Sequence, residues 1–588
     1  MTFYYIPKEK MCKRPSCKNV SFLQHIINIL TPFRAWLPRY RREDLPKDII
    51  AGLTASAILM PNAMAYVFLV GLPPQVGLYA VLGATALAAF FGSSRYVVTS
   101  PVGVVSLLTI TVLLPYAPVG SAHYAVLALT LALMVGIVQL ILGVLRFGFL
   151  MRLIPHSVLV GFSSAAAIII AMAQAPSLLG FHITQHSHVF ETLWALITHI
   201  GQTQWRTAVV GLIAFAFIFT VKKLRPSFPA ALSAVVLGLI ASYVLDFEGH
   251  GIAVVGTIPS VIPHPSLASF TLENMLMLMG NAFVIALIGF VETFAIAKAL
   301  AARTKEKISA NQELVGQGMA NIGSGLMGGL PVSGSFSSSS VNYAAGAKTP
   351  MAALTVALMA AVTIAFLTPI LYYLPRTVLA AVVIAGVLQL VDIRKFREAF
   401  KISRTDGVVA VMTFITAFAF KPDDAVMIGV VLALALFLQR IMWARVTEEG
   451  FDHEWGDVLR SLHRKNVIET VRGMVIVRID MSIFYANIDY VMVQMREIYE
   501  RRRRDDKITM FVMDFSAVNY IDLTALEAMG EFFDELRNDG VAIYTIYAKT
   551  PQRNVLTKAR KIVGTIHVIH NIDELHEEYN RRMVHLAQ

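Results

Sequence analysis

Glu292 is the one acidic residue set deep in an apolar run, Phe283-Val284-Ile285-Ala286-Leu287-Ile288-Gly289-Phe290-Val291-Glu292-Thr293-Phe294-Ala295-Ile296-Ala297. A carboxylate at membrane depth is costly and marks a functional site by default. Two chemistries keep it there: the group carries a proton, or a bound cation holds it charged. Gly289, Ala295 and Ala299 lie at helical spacing around it, small enough to admit another helix or a substrate. A structural carboxylate bonded to neighbouring backbone is the plain alternative.

A second kind of chemistry sits in Gly328-Gly329-Leu330-Pro331-Val332-Ser333-Gly334-Ser335-Phe336-Ser337-Ser338-Ser339-Ser340-Val341-Asn342, between long apolar segments. Such a stretch cannot make a lipid-facing helix, and broken backbone at membrane depth needs protein or water to cover it. From Ser335 a short helix can start, its N–H groups attracting an anion. A matching break lies at Thr99-Ser100-Pro101-Val102-Gly103-Val104-Val105-Ser106, with Pro101 as at a first helical position. Paired broken helices point to a transporter substrate site at the midplane. The candidate donors are Ser100 and the N–H groups of Val102, Gly103 and Val104 at one break. At the other they are Ser335, Phe336, Ser337 and Ser338, with Ser333 nearby. Ser339 and Ser340 more plausibly bond back to their own helix. Asn62 and Tyr66, following Pro61, either line the same cavity or pack in the core.

The elements that position these groups are membrane helices. The 588 residues are 56% hydrophobic and only 15% charged, with a mean hydropathy of +0.62; a typical soluble domain is about 25% charged. Apolar spans fall near 50–70, 76–92, 101–115, 121–145, 153–176, 207–222, 228–246, 273–299, 310–328, 335–347, 350–373, 376–391, 407–420 and 424–443. These make about fourteen segments, several too short to cross alone. As two sevens, the broken segments are the third of each half, as an inverted repeat requires.

The formal charge of +11 and pI of about 9.5 would suit nucleic acid, but the basic residues serve as topology signals. With the N-terminus inside, internal loops carry Arg95, Arg146, Arg152, Lys222, Lys223, Arg225, Arg303, Lys305, Lys307, Lys348, Arg394, Lys395, Arg397, Lys401 and Arg404. External loops hold Arg206, Arg376 and Lys421. Both termini are therefore expected in the cytoplasm of a multi-pass protein of the inner (plasma) membrane. Residues 1–48 read as a basic cytoplasmic region, lying on the anionic leaflet or simply solvated. They show no signal peptide, and Cys12 and Cys17 read as ordinary thiols, not a metal site.

Residues 49–443 make the transport region. Beyond it, 444–588, charge rises and apolar runs shorten to strand length at 474–477, 508–513 and 541–546, separated by amphipathic stretches near 488–503 and 523–538. This alternation predicts a small cytoplasmic α/β domain.

Pro61-Asn62-Ala63-Met64-Ala65-Tyr66 with Gly71-Leu72-Pro73-Pro74-Gln75-Val76-Gly77-Leu78-Tyr79 resembles the signature of the sulfate permease (SulP) family, which includes pendrin and prestin. Asn311-Gln312-Glu313-Leu314, Gly316, Asn321, Gly328-Gly329 and Pro331 to Asn342 resemble a second pattern of that family, and Ile154 to Phe162 a third. The resemblance implies an α-helical polytopic fold of seven plus seven segments with core and gate domains, an elevator-like motion, a C-terminal STAS domain and homodimers in which it takes part. It places the substrate between the third and tenth helices, with the first and eighth completing the pocket. Glu292 falls at the acidic position tied to proton or sodium coupling.

Three departures bear on mechanism. Ser338 stands where many members carry arginine. The site then offers two helix ends worth about half a charge each, too little for sulfate beside an ionised Glu292, which favours a protonated or cation-bound Glu292. Asn62 replaces the usual glutamine. Ile296 takes the place of the hydroxyl that sodium-coupled bicarbonate members tend to have. In the STAS-like domain Leu523 occupies the position of a phosphorylated serine, so that switch is expected to be absent; Thr524 reads as a helix-start residue.

The leading expectation is a proton-coupled sulfate symporter, with a sodium-coupled bicarbonate importer or a dicarboxylate carrier as alternatives. An anion channel or voltage-responsive protein is the alternative of another class. No cofactor beyond a coupling proton or sodium ion is expected, and the partners are a small inorganic anion, the bilayer and a second copy, with no nucleic acid. An enzyme is disfavoured because no nucleophile and base pair accompanies the breaks.

Overall fold

The computed structural model describes residues 31–149, 154–181, 183, 189–225, 228–261, 263, 270–420, 422–452, 458–462, 468, 469 and 471–587. The expectations for Cys12 and Cys17 lie outside these residues. The chain forms two compact units, Met1–Ala433 and Leu434–Gln588.

All fourteen expected apolar segments are helical. In chain order they are α1 (Leu45–Val70), α2 (Gln75–Phe91), α3 (Gly103–Leu113), α4 (Ala122–Val144), α5 (His156–Leu179), α7 (Trp205–Leu224), α8 (Ala230–Val244), α9 (Leu272–Thr304), α10 (Ala310–Leu326), α11 (Phe336–Ala344), α12 (Met351–Val362, carried on to Leu371), α13 (Arg376–Val387), α15 (Arg404–Ala419) and α16 (Pro422–Met442). Among the described residues, eight helices are long and apolar enough to cross a membrane. Two further helices, α6 (Val189–His199) and α14 (Ile393–Ile402), were not expected. In α14, Ile393, Phe400 and Ile402 are exposed beside Arg394, Lys395, Arg397 and Lys401, a pattern suited to the plane of an interface. Its short length and mixed face conceal it from any search for apolar runs.

The helix α10 is the wedge of this unit. It packs against both α2 and α4, and glycines make the fit possible. A Cβ on Gly83 would overlap the Gly323 carbonyl oxygen, and one on Gly136 would lie 2.6 Å from that of Gly318. Helices in lipid gain from such approach because dispersion, not water exclusion, holds them together. At the start of α1, buried Asp48 accepts from the N–H groups of Lys348 (2.6 Å) and Thr349 (3.1 Å) and from the Thr349 hydroxyl (2.6 Å). That carboxylate fastens α1 to the entry of α12.

Two broken stretches carry strands of two residues, β1 (Thr99–Ser100) and β2 (Ser333–Gly334), paired antiparallel. The expected third and tenth segments are therefore joined at their breaks.

The second unit is a seven-stranded sheet, ordered β4 (Val458–Ser461), β3 (Val446–Asp452), β6 (Met474–Ile479), β7 (Met510–Asp514), β8 (Ala542–Ile546) and β9 (His567–Ile569), with β5 (Ile468–Glu469) also on β3. Strands β6 to β9 are parallel. Successive strand residues feed opposite faces: Val475, Val477, Phe511 and Met513 pack with α17 (Ile488–Asp505) and α18 (Leu523–Asn538). Ile476, Val512 and Tyr544 pack with Leu575 of α21 (Ile572–Ala587). The expected strands and two helices are present. The additional β3, β4, β5, β9 and α21, with the short α19 (Thr550–Lys558) and α20 (Arg560–Val563), lacked long apolar runs. Asp522 caps α18 by accepting from the Ala525 N–H (2.9 Å). Leu523 and Thr524 are exposed in the first turn.

Buried Glu449 lies 3.6 Å from the Arg478 guanidinium. Burial, then the neighbouring Asp514, push its carboxyl up to about 7 from the ordinary 4.5, against the pull of Arg478. The folded unit thus holds a proton that the unfolded chain releases near pH 4.5. Its contribution to stability is complete below that pH and is lost as pH rises through about 7. Thermal unfolding of this unit is expected to fall over that window in the parent and to flatten in Glu449→Gln. In the first unit, Gly83→Val is expected to cost about 1–3 kcal/mol by overpacking. Gly201→Ala, whose Cβ would meet nothing within 4 Å, leaves the melting temperature in detergent unchanged.

Candidate functional site

The site begins with the β1–β2 ribbon, in which Thr99 faces Gly334 and Ser100 faces Ser333. The Ser335 N–H donates to the Val98 carbonyl (2.9 Å), and the Val98 N–H donates to the Ser339 hydroxyl (2.9 Å). Each broken backbone thus satisfies part of the other at depth. Because the strands are antiparallel, α3 and α11 leave the ribbon from opposite ends, each with its N-terminus at the ribbon. The Val102, Gly103 and Val104 N–H groups on one side, and those of Phe336 and Ser337 on the other, find no acceptor among the described residues.

Helix α9 lies against this ribbon. The Ser333 hydroxyl donates to the Gly289 carbonyl (2.7 Å) and sits 3.0 Å from the Thr293 hydroxyl and 3.5 Å from a Glu292 carboxylate oxygen. The Gly334 N–H donates to the Thr293 hydroxyl (2.7 Å). Glu292 is thus held beside β2, half-buried. From α1, Tyr66 reaches the start of α3: a Cβ on Gly103 would lie 3.2 Å from its ring, 3.2 Å from Val387 and 3.3 Å from Ile170. A larger residue there would have to push these side chains aside by a few tenths of an ångström. Asn62, one helical turn before Tyr66, is half-buried with a carboxamide that has no partner among the described residues.

The arrangement gathers free donors around one carboxylate, with no cationic side chain on either helix start. It suits an anion. A model described as the Sulfate permease family matches residues 45–413, and one described as the STAS domain matches 465–562. The chain belongs to the sulfate permease family. It is a membrane anion transporter with a STAS domain, not an enzyme. It is similar to "Sulfate transporter 4.1, chloroplastic" of Arabidopsis thaliana, 33% identical over 535 residues, covering 88% of this chain and 77% of the relative. It is also similar to "Probable sulfate transporter Rv1739c" of Mycobacterium tuberculosis, 29% identical over 551 residues, covering 92% and 97%. Among solved structures, murine Solute Carrier 26 family member A9 in the inward-facing state shares the fold at a TM-score of 0.86 and 20% identity, covering 98% of this chain and 99% of that one. The transmembrane domain of a cyanobacterial bicarbonate transporter gives 0.59 and 24%, over 67% and 98%.

Within this permease the expected donors differ in what they do. Ser335 is the N-cap of α11, its hydroxyl accepting from the Ser338 N–H (3.4 Å). Ser338 is buried, its hydroxyl accepting from that of Ser335 (3.2 Å). Ser337 is exposed, 3.5 Å from Ser335 between hydroxyls. Phe336 exposes 61% of its surface and contributes its N–H. Ser100 is buried and its hydroxyl donates to the Pro101 carbonyl (3.3 Å). Pro101 is not the first helical residue: Val102 is the N-cap and Gly103 begins α3, so the proline stiffens the approach and not the first turn.

Sequence reasoning missed the supports behind the site. Asn321 accepts from the Val332 N–H (2.8 Å) and donates to the Val332 carbonyl (3.1 Å) and the Gln139 side chain (3.0 Å). Gln317 donates to the Thr99 hydroxyl (2.9 Å), and Gln139 to the Ala286 carbonyl (3.0 Å). Glu313 accepts from the Ser93 N–H (2.9 Å) and hydroxyl (2.5 Å). The signal was present: Glu313, Gln317 and Asn321 recur every fourth residue, a polar stripe on one helix face. Replacing Asn321 by Leu leaves both Val332 backbone groups buried without partners, about 1–3 kcal/mol for each. Asn321→Leu is therefore expected to lower the melting temperature and abolish anion uptake, while Ser340→Ala, at a half-buried hydroxyl with no bond among the described residues, changes neither.

Proposed function

We propose that this permease imports sulfate by symport with protons, carrying the anion between the starts of α3 and α11 in an elevator-like motion. The observation that carries the reading is the ribbon that sets two helix N-termini beside Glu292 with serine, not arginine, at position 338. Two helix ends supply about half a positive charge each. A divalent oxyanion next to an ionised Glu292 would leave roughly two negative charges uncompensated in a medium where charges interact strongly. Glu292 therefore enters the loaded state neutral, and its proton travels with the anion. The names of the curated relatives support sulfate as the substrate. Ser335 and Ser338 hold the α11 start in shape, while Ser337, Asn62, Tyr66 and the backbone N–H groups of Val102, Gly103, Val104 and Phe336 contact the anion. Ser100 closes the opposite end of the ribbon.

For the motion, α3, α9, α10 and α11 form the hydrogen-bonded body that carries the site, and α5, α7, α13 and α15, which pack on one another, form the facing gate. The excess of Lys and Arg on one set of loops supports cytoplasmic termini in a plasma membrane. The family reading extends to a homodimer with STAS participation.

One observation favours a sodium-coupled bicarbonate reading. The Thr293 and Ser333 hydroxyls and the Gly289 carbonyl lie together beside Glu292, an oxygen set that suits a hard monovalent cation. Thr293 supplies the hydroxyl that Ile296, buried at 5% exposure, does not.

Uptake of labelled sulfate into proteoliposomes under an inward proton gradient separates these. Each pH unit is worth about 1.4 kcal/mol per proton, tenfold in accumulation. Uptake in the parent is expected to follow the gradient, and Glu292→Gln to lose that dependence while retaining downhill flux. Uptake that ignores protons but follows sodium would replace the proposal with the second reading. A current untouched by Glu292→Gln would point to a channel.

A further inference from the structure

A cavity of about 350 Å³, lined by both polar and apolar residues, lies within the first unit away from the ribbon. It is walled by the C-terminal halves of α1, α3 and α5 and the starts of α7 and α13, with Phe68, Leu107, Gln174 and Arg376 among its lining residues. Its volume leaves room for an oxyanion and several waters, at about 30 Å³ for each water. Along α3 it begins at Leu107, one turn past Gly103. Tyr66, Ile170 and Val387 crowd Gly103 at the ribbon end of α3.

Among the described residues that line this cavity, Arg376 is the charged one. Its N–H donates to the Ala253 carbonyl (3.0 Å), its Nε to the Val254 carbonyl (2.9 Å), and its guanidinium lies 4.9 Å from the Phe68 ring centroid. Nε is thus committed to the scaffold. The two terminal nitrogens, four donors in a fixed fork, meet no acceptor and no carboxylate among the described residues. Across the same cavity Gln174 is only 5% exposed, and its carboxamide makes no hydrogen bond among the described residues. A buried amide without a partner is costly unless a ligand or water completes it. The negative ends of α1, α3 and α5 would repel an anion here, and Arg376, on the positive end of α13, offsets them.

We propose that this cavity is a second anion site, where Arg376 and Gln174 hold a small oxyanion before it passes Tyr66, Ile170 and Val387 to the ribbon. The loops around it are those assigned to the outside by their scarcity of basic residues, so it serves as an outer loading station. An arginine can hold this anion here, and not at position 338, because it stays on the stationary α13 and need not travel with the cargo.

Equilibrium binding of radiolabelled sulfate, and separately of bicarbonate, to the purified full chain at low ionic strength reads the site directly. The parent and Arg376→Lys are expected to bind one more anion per chain than Arg376→Gln. In transport, the apparent KM for anion supplied from outside rises on the order of tenfold in Arg376→Gln. Gln174→Leu raises it less, and in both the rise exceeds any fall in Vmax. Arg376→Gln binding as many anions as the parent would overturn the proposal. So would a fall in Vmax with KM unmoved, the mark of a damaged scaffold. Binding is scored with both anions and without a gradient, so this proposal fails independently of proton symport, which rests on Glu292→Gln.

Discussion

The constraint on which the rest of this structure depends is that backbone polar groups at membrane depth must find partners inside the protein. A helix meets it alone; a broken helix cannot. Here two broken segments meet it together, through Thr99 opposite Gly334 and Ser100 opposite Ser333, with Ser335 and Val98 closing the ribbon. The pairing is short because its task is limited. It must satisfy the peptide groups that the breaks release, and leave the first N–H groups of α3 and α11 free. Those groups then provide the positive potential of the site without a charged side chain.

Helix α10 converts this local pairing into a defined position. Its glycine face lets α2 and α4 approach backbone to backbone, and its polar face reaches both breaks, Gln317 to Thr99 and Asn321 to Val332. One element thereby sets the distance and the orientation of the ribbon. From the other side, Thr293 and Ser333 bind the ribbon to the helix that carries Glu292. In the proposed mechanism, coupling follows from that closeness. A change in the charge of Glu292 is felt at β2 through the Ser333 hydroxyl that touches both Glu292 and Gly289.

Charge is distributed between the two polar compartments by a simple rule. In the proposed mechanism the ribbon relies on dipoles and a carboxylate whose charge a proton or cation can cancel. The outer cavity holds a permanent cation, Arg376, held by Val254 and Phe68. Fixed charge suits a place of capture. In the elevator-like motion proposed above, a site that crosses the bilayer, empty and loaded, is better served by groups that can be neutralised, because moving a bare charge through the low-dielectric interior is expensive.

The fourteen apolar segments, the two breaks, the carboxylate within the α9 run and the α/β pattern of the C-terminal residues were all legible in the sequence, because each is local. Apolar length, loss of helix-forming residues and strand-length runs are properties of neighbouring residues. The roles of Thr293, Gln317 and Asn321 were not legible, although the four-residue spacing of Glu313, Gln317 and Asn321 was visible, since a polar stripe does not say which distant backbone it meets. Likewise α14 and β3 lack the apolar runs that announce an element. The sequence by itself determined which segments enter the membrane and where they break. Only the tertiary structure decided that Thr99 meets Gly334, that Ser338 is turned into its own helix cap, and that Arg376 faces a cavity. Partner choice between residues hundreds of positions apart depends on how helices pack, and packing is settled by the whole chain at once.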